Sequence, residues 1–177
     1  LVFEANGYAH FKVRRVGETW KLNISEEDRG KPMFALYTGT ETREEKEIIR
    51  NVFNGTWKYV PSSLAAELQE ISTNNLYGEI IKVLMITASG AEGISLKNVR
   101  YVHITEPYWH PVRTQQVIGR ARRICSHQEL PEALRTVDVF LYLMTFTQEQ
   151  LKNDVSIELR LQDKSKVDPV SYTHLTL

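Results

Sequence analysis

The segment TQQVIGRARRICSH, residues 114–127, holds three arginines and two glutamines but no acid. Extended to Pro107–Gln128 it still lacks Asp and Glu, although the chain's 22 basic and 22 acidic residues balance. A local basic block in a neutral chain calls for a partner of opposite charge, and phosphate suits guanidinium chemistry well. At about 100° per residue, a helix opened by Pro111 places Gln116, Arg120 and Arg123 at roughly 0°, 40° and −20°. Two guanidiniums and an amide sharing one face form a multidentate grip for a polyphosphate. Arg122 falls on the opposite side, and Val117 and Ile124 lie off the polar face, where a sheet is expected to cover them. Gly119, beside Arg120, has no side chain and so lets another surface approach closely. A solvated basic face is the alternative reading of such an RxxR helix.

A second set of residues lies upstream. TASGAEGIS, residues 87–95, combines hydroxyls at Thr87, Ser89 and Ser95 with glycines at Gly90 and Gly93. A glycine-containing turn presents backbone N–H groups, which suit phosphate oxygens or a nucleic-acid backbone. Taken alone it is equally a flexible loop between two strands. An Arg-bearing helix about 25 residues further on, at the same sheet edge, strengthens the phosphate reading.

The elements needed to position these residues are legible in the hydrophobic pattern. MFALYTG, ending at Gly39, reads as a buried strand. The helix after it has a capping box at Thr42 and Glu45, an apolar face of Ile48, Ile49, Val52 and Phe53, and a stop at Asn54-Gly55. A weaker helix is expected over about Ser63–Ile71, capped by Ser62 or Ser63. Lys82–Thr87 is a second strand, RYVHITEP a third, and the helix from Pro111 is expected to run to about Cys125. TVDVFLYLMTF, from Thr136, closes the series as a further strand. Strand, helix, strand, loop, strand, helix, strand implies an α/β fold with a parallel sheet covered by helices. Ligands of such sheets bind beyond the carboxyl ends of the strands, where Thr38-Gly39, the Thr87–Gly93 loop and the Pro107–Pro111 loop fall.

Composition excludes several classes. No apolar run approaches the ~20 residues of a membrane span, and nothing resembles a secretory signal, so no membrane role is expected. The single cysteine, Cys125, has no internal partner for a disulfide, which points to an intracellular setting. Cys125 and His127 lie two residues apart, but no further Cys or His cluster completes a metal site.

These motifs resemble those of superfamily 2 helicases. ITASGAEGISL is similar to motif V, and QVIGRARR matches the QxxGRxxR pattern of motif VI. FALYTGTETREEKEIIRNVFNG resembles the strand and helix between motifs IV and V. VRYVHITEPYWHPVRTQQVIGRARRICSHQELP is similar to helicase-like ATPases of poxviruses and other large cytoplasmic DNA viruses, including early transcription factor subunits and nucleoside triphosphate phosphohydrolases.

The resemblance implies a RecA-like second lobe that uses ATP and Mg²⁺, most of whose ligands lie in an N-terminal RecA-like lobe. No GxxxxGK[ST] sequence and no DExx-type acidic box occurs in this chain. By position, Arg120 and Arg123 match the motif VI arginine fingers, and Gln116 the residue that orders the phosphate site and attacking water. Gly93 and Ser95, with Gly119, correspond to positions near the nucleotide, although Ser95 replaces the Asp that DEAD-box members use on the ribose. Thr87, Ser89 and Gly90 match the part of motif V that touches the nucleic-acid backbone. Thr38 and Gly39 fall where many relatives have His-Gly on the strand, and Lys46 where many have Arg. The expected partners are DNA or RNA, the other lobe and a viral RNA polymerase. The expected location is the cytoplasm of an infected host, or the virion. Two alternatives remain: a transcription-factor ATPase that does not unwind, and a non-catalytic nucleic-acid-binding lobe.

The expected organisation has four stretches. Residues 1–30 form residual helix and loop after a motif IV strand that lies outside this sequence. Residues 31–146 form the helicase core, 147–167 a C-terminal extension, and 168–177 a non-native tail resembling translated adapter read-through.

Overall fold

The computed structural model describes residues 2–87, 93–105, 107, 111–143 and 175–176. It divides into two compact units. The first comprises Leu1–Asn98 with Cys125–Leu130, and the second Val99–Ile124 with Pro131–Leu177.

The first unit is built on a parallel sheet. β1 (Ala9–His10) and β5 (Ile81–Ile86) flank β4 (Met33–Tyr37) in the order β1-β4-β5. β4 reads MFALY and buries Met33, Phe34 and Ala35, as a strand covered on both faces must. The segment between β1 and β4 holds an antiparallel hairpin, β2 (Val13–Val16) and β3 (Thr19–Leu22). The sequence reading of residues 1–30 as helix and loop is therefore corrected. Only α1 (Val2–Ala5) is α-helical there. The hairpin's signal was weak because VRRV buries only Val13, so its apolar–polar alternation is incomplete.

Helix α2 (Arg43–Phe53) follows β4, and its boundaries are chemical. Thr42 Oγ1 accepts from the Glu45 amide at 3.2 Å, while the Glu45 carboxylate accepts from the Thr42 amide at 2.7 Å. This reciprocal box satisfies two donors that a helix start leaves free, and losing the threonine cap costs about 1 kcal/mol. At the other end Gly55 adopts φ 64°, and Thr56 N donates to Asn51 O at 2.8 Å, closing a Schellman turn. The helix buries Ile48, Ile49 and Val52 in one cluster with Ala9, Phe11, Leu64, Leu68, Ile80 and Ile81.

Helix α3 (Ser62–Gln69) supplies Leu64 and Leu68, both fully buried. It begins one residue before the expected start and has no side-chain cap. Ser63 instead donates from Oγ to Trp20 O at 3.0 Å, and Glu67 accepts from the Leu22 amide at 3.0 Å. The hydroxyl expected to cap the helix serves the hairpin's backbone. Tertiary demand for a donor outweighed local capping.

The second unit is a βαβ arrangement. β6 (Tyr101–Ile104) pairs in parallel with β7 (Thr136–Leu141), Tyr101 opposite Asp138 and Ile104 opposite Leu141. Helix α4 (Pro111–Ala121) lies between them in sequence and packs on β6. β8 (Leu175–Thr176), within the expected non-native tail, pairs antiparallel with β7. The 147–167 extension lies outside the described residues.

Candidate nucleotide and nucleic-acid sites

Helix α4 positions the candidate catalytic face by burying the opposite one. Thr114, Ile118 and Ala121 are its buried residues, spaced i, i+4, i+7. Measured from Gln116 they fall at about 140–200° around the helix. Gln116 is exposed and Arg120 half-exposed, so the face that carries them points away from the packed stripe. A Cβ built at Gly119 would meet no atom of the described residues beyond its own helix within 4 Å. Packing among the described residues therefore does not require glycine here, and Gly119 is exposed beside Arg120.

Two expectations about this helix are corrected. It ends at Ala121, not near Cys125. Arg122 N still donates to Ile118 O at 2.9 Å, but Cys125 turns to φ 65° and the chain re-enters the first unit. The helical-face argument thus holds for Gln116 and Arg120 and does not extend to Arg123. Val117 and Ile124 are also not covered, being 38% and 96% exposed. The apolar stripe is carried by Ile118 and Ala121 with Thr114 among them, a pattern hidden because threonine is normally counted as polar.

The first unit holds the other candidates, at the carboxyl ends of its strands. Thr87 is exposed just beyond β5. Ser89 and Gly90 lie outside the described residues. Gly93 is exposed with φ 75°, a backbone conformation that favours glycine. Ser95 is half-buried, and its carbonyl accepts from Asn54 Nδ2 at 2.9 Å.

Beyond β4, Thr38 is held in a compact knot. The Thr38 amide and hydroxyl donate to Glu41 Oε2 at 2.6 and 2.9 Å, and Thr40 Oγ1 donates to Oε1 at 2.8 Å. Partial burial alone would raise the Glu41 carboxyl, but these hydrogen bonds outweigh it and hold the group below its ordinary value. Lys46 Nζ lies 5.7 Å from the ring centre of Tyr37, the residue before Thr38. Thr38 and Lys46 therefore share the carboxyl end of β4.

Sequence reasoning did not single out Glu41, nor the second role of Asn54. TGTET offers hydroxyls flanking a carboxylate, which is a usable signal for such a knot. Asn54 was legible only as a helix stop. Cys125 is exposed, whereas His127 is buried with Nδ1 2.7 Å from Ser126 Oγ. The two side chains thus occupy different environments. A concavity of about 490 Å³ beside Arg15, Trp20 and the first turn of α2 includes none of the candidate residues.

Residues 18–125 match the family model of the helicase conserved C-terminal domain. The chain is 54% identical over 109 residues to the protein named "Putative ATP-dependent RNA helicase R350" of Acanthamoeba polyphaga mimivirus, covering 62% of this chain and 11% of that protein. It is 36% identical over 135 residues to a termination factor NPH-I homolog of African swine fever virus, covering 76% of this chain and 16% of that one. With nucleoside triphosphatase I of Heliothis armigera entomopoxvirus the identity is 34% over 126 residues, 68% and 19% of the two chains. No solved structure matches. The chain belongs to the helicase C-terminal domain family, an α/β lobe of RecA-like type. It spans less than a fifth of the length of these viral relatives.

Proposed function

We propose that this chain is the second lobe of an ATP-driven nucleic-acid translocase or helicase, with motif VI serving hydrolysis and motif V gripping the strand. The observation that carries the reading is the outward face of α4, where Gln116 and Arg120 stand opposite the buried Thr114, Ile118 and Ala121. Its donors suit a polyphosphate, and no acid lies between Pro107 and Gln128 to oppose one. Arg120, with Arg123 assigned by its motif position alone, stabilises charge on the transferring phosphoryl group when a partner lobe closes on it. Gln116 orders the attacking water. Mg²⁺ would be held by groups of a partner lobe, not by the residues assigned here, and would supply charge neutralisation at the phosphates. Thr87, Ser89 and Gly90, with Thr38, Gly39 and Lys46, hold the nucleic-acid backbone, and Gly93, Ser95 and Gly119 lie near the nucleotide. Loss of the γ-phosphate attraction lets the lobes reopen, and the strand grip moves with them.

The similarity to a termination factor homolog favours a second reading in which the same ATPase cycle releases a polymerase without separating strands. An unwinding assay beside an ATPase assay distinguishes the two.

The test uses this chain alone and the mimivirus relative with the corresponding segment replaced by it. The chain alone is expected to release no phosphate from ATP, because it contains neither a P-loop sequence nor an acidic box. It is expected to bind a labelled single strand weakly, with affinity falling as salt rises. The hybrid is expected to hydrolyse ATP when nucleic acid is added. A folded hybrid without that activity, or a chain that binds no strand at low salt, overturns the corresponding half of the proposal.

A further inference from the structure

The chain leaves the first unit after Asn98 and returns at Cys125. Asn98 and Cys125 are the two positive-φ non-glycine residues among those described, at 58° and 65°. A left-handed backbone at a residue with a side chain costs free energy and persists only where surrounding contacts hold it. Those contacts are present. The Asn98 amide donates to Ser126 O at 3.0 Å, and Asn98 Nδ2 donates to Glu129 Oε2 at 3.0 Å. Lys97 Nζ lies 3.5 Å from Glu129 Oε1, and the Leu130 amide closes the turn on His127 O at 3.1 Å. Among the described residues, Asn98 Oδ1 is buried with no hydrogen-bond partner, a further cost at the same residue.

The motif V side of this arrangement is anchored in turn. Asn54, at the end of α2, donates from Nδ2 to Ser95 O at 2.9 Å and accepts at Oδ1 from the Lys97 amide at 2.8 Å. One amide thus clamps the limb after Gly93 at Ser95 and at Lys97, the residue before Asn98. The helix end is itself held by Asn75, buried, whose Nδ2 donates to Phe53 O at 3.0 Å and whose Oδ1 accepts from Ile81 N at 2.9 Å. A continuous polar path therefore runs from the core through Asn54 to Lys97 and Asn98, and on to Glu129. Arg123 enters it through the chain, since only Ile124 separates it from Cys125.

We propose that Asn98 and Glu129 are positioning residues that latch the segment following motif VI to the segment following motif V, with Asn54 as the fixed end. The latch fixes where the chain re-enters the first unit two residues after Arg123, and its effect on hydrolysis is carried along that short tether. This assignment to catalysis rests on the function proposed above.

The experiment compares Glu129→Ala, Glu129→Gln, Asn98→Gly and Thr56→Val. Glutamine keeps an acceptor for Asn98 Nδ2 but loses the Lys97 ion pair. Asn98→Gly relieves the backbone strain yet removes the amide. Thr56→Val removes the threonine hydroxyl bonds to Asn51 O and Oδ1 without touching the latch. In the 177-residue chain, hydrogen exchange at the Asn98 and Leu130 amides should accelerate in Glu129→Ala and stay slow in Glu129→Gln and Thr56→Val. In the hybrid enzyme, Glu129→Ala and Asn98→Gly should lower kcat by about 10²-fold, the scale of a misplacement near 1 Å, with KM for ATP nearly unchanged. Glu129→Gln should restore most of the rate. Unchanged exchange and unchanged kcat in Glu129→Ala would overturn the latch. Equal loss of kcat in Thr56→Val would overturn it too, by showing a general stability effect. A wild-type hybrid that hydrolyses no ATP counts against the proposed function, while the exchange arm still decides whether the latch exists.

Discussion

Helices α2 and α4 are the same length, 11 residues each, and are built to opposite ends. α2 closes both termini chemically and buries Ile48, Ile49, Asn51 and Val52. α4 contains a glycine in its last turns, buries a threonine with Ile118 and Ala121, and leaves Val117 exposed. The first spends its surface on the core, while the second leaves the face of Gln116 and Val117 exposed. Under the proposed function, folding and contact with a partner are divided between the two helices.

The largest expected effect belongs to the outward face of α4. In an active hybrid, Arg120→Ala should lower kcat by about 10³-fold or more, roughly 4 kcal/mol of barrier. Arg123→Ala should do the same on its motif assignment. Arg122→Ala should change rate and stability little, within about 0.5 kcal/mol. Nucleotide affinity should persist in each, because the proposed function assigns most ground-state contacts to a partner lobe. Steady-state kinetics with nucleic acid saturating decides the matter. An inactive but folded Arg122→Ala would remove the contrast between the three arginines.

Next in size is the core face served by α2. Leu68→Ala, at a fully buried site packed in the same cluster, should cost about 2–5 kcal/mol in denaturant unfolding. Thr42→Ala should cost about 1 kcal/mol through the lost cap. If the threonine change cost as much as the leucine change, the division between capping and core would be misjudged.

Gly119→Ala separates the two helices most directly. Because the added methyl meets open space, alanine should stabilise the isolated lobe by up to about 1 kcal/mol through helix propensity. The same change should reduce ATP turnover in the hybrid if a partner surface comes close to Arg120. A stabilised variant with full turnover would show that the glycine keeps no surface clear.

The smallest effect concerns the Thr38–Glu41 knot. The folded carboxyl of Glu41 lies below its ordinary value, so its contribution is present above the ordinary carboxylate range and is lost as the pH falls through the lowered value. Glu41→Gln should flatten that acidic part of the stability–pH curve slightly while leaving neutral stability almost unchanged. An unaltered curve would mean the knot does not survive in solution.

What the sequence by itself determined is the local chemistry. The capping box at Thr42 and Glu45, the Gly55 stop, and the strands near Met33, Ile81, Tyr101 and Thr136 all follow from short-range rules of periodicity and caps. Gln116 and Arg120 share a face because they are four residues apart on a helix. Tertiary structure decided where that helix stops, since residues 125–130 pack with the first unit instead of continuing α4, and so Arg123 left the face assigned to it. It also turned Ser63 from cap to hairpin donor, and gave Asn54 and Asn98 partners 43 and 31 residues away in the chain. Such bonds depend on which backbone groups the fold leaves unpaired, a quantity that no local pattern encodes.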